Sequence, residues 1–348
     1  MTMALNIRPA TDKDHPAWSA LLMDRSDSTF FQRPEWPGLL ERTLGFRDQT
    51  LLVEDDRGPL GLLPLSEVRS ALFGNALCSL PFCAYAGPLI RPEREEAVIA
   101  ALTHGVRDLA RSRQVGRVEL RSQRVWDAEV PRQSLYVTFI GPLPKGLDDL
   151  SGVPQKRRNV IRRAQSMGLG AQVHRDADRF FELYAENCRS HGTPGLGKSF
   201  FRELLRCFPE SDLDILSVVD AQGRDISAIL NFYHQQTVMA YFAGENALAR
   251  QCNGNDYKYW ALMRHARDRG CHSFDFGRSK QGTGSFTFKK LWGFQAQALH
   301  YEFPYLPSGR VPQNNPSNPK FDLAMKIWQK LPRLFTDHAG PMVARGLG

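Results

Sequence analysis

The sequence predicts a mixed α/β fold built from two similar halves, residues 1–150 and 151–304, followed by a tail over 305–348. Three observations predict it. Short hairpin signals alternate with amphipathic helical runs along the chain. Their order in the first half recurs in the second. Finally, 348 residues exceed what one ordinary hydrophobic core fills.

A short apolar stretch near the start reads as a strand, and residues 14–25 read as a helix. Residues 50–54 and 60–68 flank Asp55-Asp56-Arg57-Gly58-Pro59, whose turn formers predict a hairpin. Residues 93–113 place Val98, Leu102, Val106 and Leu109 along one helical face before Gly116, and 117–121 alternate as a strand. In the second half, 213–220 and 226–234 flank another turn, and 238–244 supply a third strand. Residues 256–269 then form a helix with Tyr259, Leu262, Met263 and Ala266 at i, i+3, i+4 and i+7, and 273–276 return as a strand.

The shift that lays Ala110-Arg111 on Ala266-Arg267 also lays Val118-Glu119-Leu120 on Phe274-Asp275-Phe276. Arg121-Ser122 and Arg278-Ser279 follow the two segments. The upstream hairpins need a longer shift, with Asp55 and Gly58 on Asp220 and Gly223. The shared order points to an ancient duplication. Pro142, Pro144, Gly146, Gly152 and Pro154 put the boundary near 145–155. Residues 307–316, rich in Pro and Asn, read as a linker to a helical tail over 320–330.

An apolar fraction of 42% and a charged fraction of 24% are those of a globular chain. The net charge of +8 favours an anionic partner. Cys78, Cys83, Cys188, Cys207, Cys252 and Cys271 show neither CxxC pairs nor metal-ligand spacing, so neither a zinc site nor a disulfide framework is expected. Free thiols suit a reducing compartment. The N-terminus lacks a signal-peptide pattern, and the apolar run 76–90 is interrupted by Pro81 and Pro88. A cytoplasmic protein is expected. The tail leaves a peripheral contact with the inner face of the membrane open, because Leu323, Ile327, Trp328 and Leu331 could lie on lipid or pack on the second half.

Four stretches together resemble the FemAB-type transferases. They are the basic helix 155–168, His191-Gly192-Thr193-Pro194 followed by Phe200-Phe201, Phe274-Asp275-Phe276-Gly277-Arg278-Ser279, and the run 284–294 containing Phe288-Lys289-Lys290. The last two are the most specific. The resemblance covers roughly residues 20–303 and is narrower still toward the branch that accompanies exosortase (PEP-CTERM) and exopolysaccharide gene clusters. It implies two tandem GNAT-like acyltransferase domains and transfer of an acyl or aminoacyl group to an amine on a cell-envelope or exopolysaccharide precursor. The order of strands and helices read above agrees with that fold.

The resemblance assigns Lys289, which follows Phe288 in an F-K pair, to the carbonyl oxygen that turns anionic during acyl transfer. The bare residues allow another reading, in which Phe286, Phe288 and Leu291 pack a core while the lysines stay solvated. Asp275 lies between two aromatic residues, where it could accept a proton from the amine or pair with Arg278. Lys156, Arg157, Arg158, Arg162 and Arg163 gather five cations, with Arg158 and Arg162 on one face. Guanidinium forks suit an anionic nucleotide- or lipid-linked sugar acceptor, or a tRNA backbone; a solvated basic helix is the alternative. His191, read as a loop residue, and Tyr241, on the third strand, are further substrate-binding candidates, as is Arg278.

No metal or resident cofactor is expected; the donor is a co-substrate, aminoacyl-tRNA ahead of acyl-CoA. CoA-using GNAT proteins carry a Q/R-x-x-G-x-G/A loop, and here Gln251-Cys252-Asn253-Gly254-Asn255-Asp256 departs at the last position. Asp256 would oppose a diphosphate there and is expected to cap the helix instead. The rival from another class is a non-catalytic module docked to anionic membrane or to a biosynthetic complex.

Overall fold

The computed structural model describes residues 4–70, 74–312 and 319–347. The chain forms two compact units. The first comprises Met1–Tyr136, Ala298–Gln313 and Arg345–Gly348, the second Val137–Gln297 and Asn314–Ala344. The expected boundary at 145–155 falls inside the second unit, in the turn-rich segment after a long strand. The linker read over 307–316 lies outside the described residues from 313 onward.

The first unit opens with β1 (Asn6–Pro9), α1 (His15–Asp24), α2 (Glu35–Leu44) and β2 (Arg47–Asp48). The expected hairpin forms from β3 (Leu51–Asp55) and β4 (Gly58–Leu63), but its second arm does not run to residue 68. Pro64, which has no N–H to give a ladder, interrupts it, and β5 (Ser66–Val68) joins other strands. β6 (Ala76–Cys78), β7 (Leu89–Ile90), α3 (Glu95–Ser112), β8 (Arg117–Ser122) and β9 (Arg132–Pro142) follow. One antiparallel sheet runs β1-β3-β4-β7, while β2, β5, β6 and β8 pair in that order. α3 buries Val98, Leu102, Val106 and Ala110 against Leu51, Val53 and Leu63. Its stripe follows a strict four-residue step, so Ala110 replaces the expected Leu109, which is only partly buried.

In the second unit come α4 (Gln155–Ser166), β10 (Gly170–His174), α5 (Ala177–His191), α6 (Lys198–Cys207), β11 (Leu213–Val219), β12 (Asp225–His234) and β13 (Thr237–Glu245). Next are α7 (Ala247–Gln251), α8 (Gly254–Asp268), β14 (Ser273–Asp275), β15 (Ser279–Lys280) and α9 (Gly284–Lys290). Strands β10 to β13 form an antiparallel meander; β13 then pairs in parallel with β14, and β14 antiparallel with the end of β9. α5 packs on β12 and β13. Its approach depends on Gly244, where a Cβ would lie 2.4 Å from the Leu183 carbonyl carbon and the Tyr184 nitrogen. α8 buries Tyr259, Leu262, Met263 and Ala266, the face its spacing predicts.

β16 (Ala296–Tyr305) carries the chain back into the first unit, where it pairs antiparallel with β8. There the Glu302 carboxylate accepts the backbone N–H groups of Trp126 and Asp127. The helical tail is α10 (Pro319–Lys330), and a further helix not foreseen from the sequence, α11 (Arg333–Leu347), follows it. Trp328 of α10 lines a small cavity with Tyr184, Cys188 and Thr336, so of the two alternatives read from the sequence it takes packing on the second half. All six cysteines are free. Among the described residues no helix is long and apolar enough to cross a membrane, and no cluster of metal-ligating side chains occurs.

Candidate active site

The parallel contact between β13 and β14 is short. It covers Thr237, Val238 and Met239 against Ser273, Phe274 and Asp275, and it stops because β14 ends while β13 runs on. Directly beyond it β13 carries a bulge. Leu230 pairs with Phe242 but Asn231 with Ala240, leaving Tyr241 as the extra residue. Bulges re-aim a side chain out of the regular alternation. Tyr241 is half-buried, with its ring 4.8 Å from Phe242 and 5.5 Å from Phe232.

Phe276, Gly277 and Arg278 leave β14 as a loop against this bulge. Gly277 has φ +67°, and a Cβ there would lie 3.3 Å from the Ala240 carbonyl oxygen and 3.8 Å from Tyr241 Cδ2. Two buried groups hold the loop. Asp275, fully buried, accepts from Thr138 Oγ1 at 2.6 Å and from the Gly277 N–H at 2.8 Å. Lys289, 6% exposed, donates to the carbonyl oxygens of Phe276, Gly277 and Arg278 at 2.6, 2.9 and 3.2 Å. Burial lowers the Lys289 ammonium to about 8; Asp275 works against that shift and Arg278 adds to it.

An ammonium has three N–H donors, and three carbonyls occupy them here. An oxyanion can be met by Lys289 only in exchange for one of those carbonyls. Lys290 is exposed. The segment is helical, with the Phe286 N–H donating to the capping Thr283 Oγ1. Successive residues therefore turn by 100°, which sends Lys289 inward, half-buries Phe286 and Phe288, and exposes Leu291. Phe288 packs on Tyr259 at 5.4 Å, and Tyr259 on Phe276 at 5.0 Å. The aromatic residues of both motifs thus form one cluster.

Of the basic run, only Arg157 reaches this cluster. Its guanidinium lies 5.9 Å from the Phe288 ring centroid and donates to Asp256 Oδ1 at 2.7 Å, while its Nε is buried without a partner. Asp256 therefore forms an ion pair instead of the expected helix cap; the cap position belongs to Asn253, at φ +59°. Burial raises the Asp256 carboxyl despite that partner. Arg158 is turned to the carbonyls of Val153 and Ser151, and Arg162 is exposed, so the two do not act as a pair on one ligand. His191 is no loop residue. It ends α5, is exposed, and bonds through Nδ1 to the Asn187 carbonyl. Arg278 is exposed at the loop. Phe274, Asp275 and Phe276 are all buried, because both faces of this strand are covered.

Lys258 escaped the sequence reading. It lies on α8, is 1% exposed, and makes no hydrogen bond or ion pair among the described residues. Burial lowers its ammonium to about 8, with Glu245 opposing the shift. Stepping back four residues along the buried stripe from Leu262 lands on it.

Residues 155–290 match the family model of the acetyltransferase (GNAT) domain. The structure is similar to the crystal structure of FemX, with a TM-score of 0.66 at 14% identity, covering 87% of this chain and 98% of that one. A tandem GNAT protein from the clavulanic acid biosynthesis pathway gives a TM-score of 0.56 at 12% identity, covering 87% of this chain and 99% of its own. L-PGS from Bacillus licheniformis gives 0.55 at 13%, covering 93% and 99%. At these identities the likeness is one of fold, and that fold is the mixed α/β tandem GNAT arrangement. A comparison with curated proteins gives no match.

Proposed function

We propose that the protein is an N-acyltransferase that moves an aminoacyl or acyl group to an amine on a cell-envelope or exopolysaccharide precursor. One observation carries the reading: a buried lysine ammonium clasps the loop that lies against the bulged Tyr241, inside the GNAT domain. The acceptor amine attacks the donor carbonyl, negative charge gathers on that oxygen, and the donor's alcohol or thiol leaves with a proton. Lys289 serves the reaction by holding the loop and by giving one N–H to the oxyanion as it forms. Asp275 anchors the same loop through Gly277. Phe288 and the exposed Arg278 offer the surface on which an anionic, nucleotide- or lipid-linked sugar acceptor would bind.

For the donor, aminoacyl-tRNA is preferred to acyl-CoA. The Asp256–Arg157 pair fills the first turn of α8, and a diphosphate placed there would meet a carboxylate and compete for its guanidinium.

The test offers aminoacyl-tRNA and acyl-CoA separately, with nucleotide-linked amino sugars as acceptors. Lys289→Met should cut kcat by about 100-fold or more with little change in acceptor affinity. Lys290→Met should leave both unchanged. The ammonium form of Lys289 is lost as pH rises through about 8, so the wild-type rate should fall across that point. Equal activity of the two lysine variants would remove Lys289 from the site. Absence of turnover with every donor would favour the non-catalytic module.

A further inference from the structure

The tail helices present their apolar residues to solvent. Half of the large apolar side chains that stand exposed among the described residues fall on α10 and α11: Leu323, Ile327, Leu334, Phe335, Met342 and Val343. Leu334 is 76% exposed, Met342 75% and Leu323 63%. Elsewhere such residues occur singly, which is ordinary for a protein surface.

Both helices are nevertheless docked. A Cβ at Gly192, after α5, would lie 2.6 Å from the Met325 carbonyl oxygen; Gln329 Nε2 donates to the Ser190 carbonyl, and Arg333 pairs with Glu182 at 2.7 Å. α11 turns its small residues inward, with Thr336 and Ala344 buried and a Cβ at Gly340 in contact with Gly195. The packing is therefore satisfied by small and polar groups, and the large apolar side chains are left over on the outer side.

Charge decides what covers them. On α10 the exposed Lys326 and Lys330 flank Leu323 and Ile327. Residues 319–347 hold Lys320, Lys326, Lys330, Arg333 and Arg345 against Asp322 and Asp337, in a chain of net charge +8. A second copy of this surface would set like charges together. A bilayer with anionic headgroups accepts the apolar row at its acyl boundary and the lysines at its phosphates.

We propose that α10 and α11 form a docking surface for an anionic lipid bilayer, with Leu334, Phe335 and Met342 entering the interface and Lys326 and Lys330 meeting the headgroups. The proposal is independent of the reaction above, because its test reads binding and not turnover. Full-length protein is sedimented with phosphatidylglycerol-containing vesicles and with phosphatidylcholine vesicles. Selective binding to the first is expected, weakening with salt. Lys326→Gln with Lys330→Gln should lower it on the order of 5-fold per lysine. Leu334→Glu with Phe335→Glu should abolish it at an unchanged urea midpoint, since both side chains are already exposed. Equal binding to both vesicle types, or full binding by both double variants, would overturn the proposal. So would self-association that Leu334→Glu with Phe335→Glu removes in the absence of any vesicle binding, which would assign the surface to a second copy.

Discussion

Lys258 and Lys289 are both buried cations, but their surroundings differ. Lys289 has three carbonyl acceptors, so charge-assisted hydrogen bonds offset part of the cost of its burial. Lys258 has none among the described residues. Replacing it with Met keeps the length of the chain and removes a buried charge that has no hydrogen bond, with the Tyr259 ring at 5.4 Å and Glu245 offsetting its burial in part, so Lys258→Met should stabilise the fold. A drop from 10.5 to about 8 bounds the gain at on the order of 3 kcal/mol, read as a higher urea midpoint. Lower activity alongside higher stability would mark Lys258 as retained for function. Arg157→Ala gives the opposite result, because it leaves Asp256 buried without its cation; a loss of about 3 kcal/mol is expected. Arg162→Ala, at an exposed position, should change stability by less than about 0.5 kcal/mol. Sequence spacing could not separate these two arginines. Five cations on one helix look alike until the partner helix supplies Asp256, and that carboxylate is distant in the chain.

Elements with a strong period were legible, and those governed by a single breaker or by distant partners were not. The stripes of α3 and α8 and the meander β11 to β13 follow from the spacing of their apolar residues. α9 did not: Phe286 and Phe288 suggest alternation, whereas Thr283 caps a short helix there. The bulge at Tyr241 was equally hidden, since one extra residue in a ladder leaves no local composition signal. Gly244 shows how far such geometry depends on neighbours. The atoms facing its absent side chain belong to the backbone of α5 and cannot rotate away. Gly244→Ala should therefore cost at least about 1–3 kcal/mol, seen as a fall in melting temperature, where an exposed glycine-to-alanine change on a strand would not.

Across the whole molecule, the two lysines give stability a direction on the alkaline side. Unfolded, each holds its proton to pH 10.5; folded, each releases it at about 8. Between those values the unfolded chain binds more protons, so stability rises with pH. Cys78 and Cys188 oppose this from higher up, because burial pushes both thiols from 9.0 to about 11 and the folded chain then holds the extra protons. The urea midpoint should climb from about pH 7 to pH 9 and level off above that. Lys258→Met combined with Lys289→Met should flatten the rise; a rise unaltered in that variant would place its origin elsewhere.

The return of the chain through β16 also fixes an order of events during synthesis. β8 leaves the ribosome with only β6 available as a neighbour, and its other edge waits for His300, Tyr301 and Glu302. The whole stretch that matches the GNAT domain model, residues 155–290, is translated in between. At typical elongation rates that edge stays open for roughly ten to thirty seconds, with the N–H groups of Trp126 and Asp127 still lacking the carboxylate that receives them. An unpaired edge is a template for another chain. A nascent protein of this topology therefore spends its most aggregation-prone interval with its first unit unfinished, and a fragment ending at residue 150 would never leave that interval.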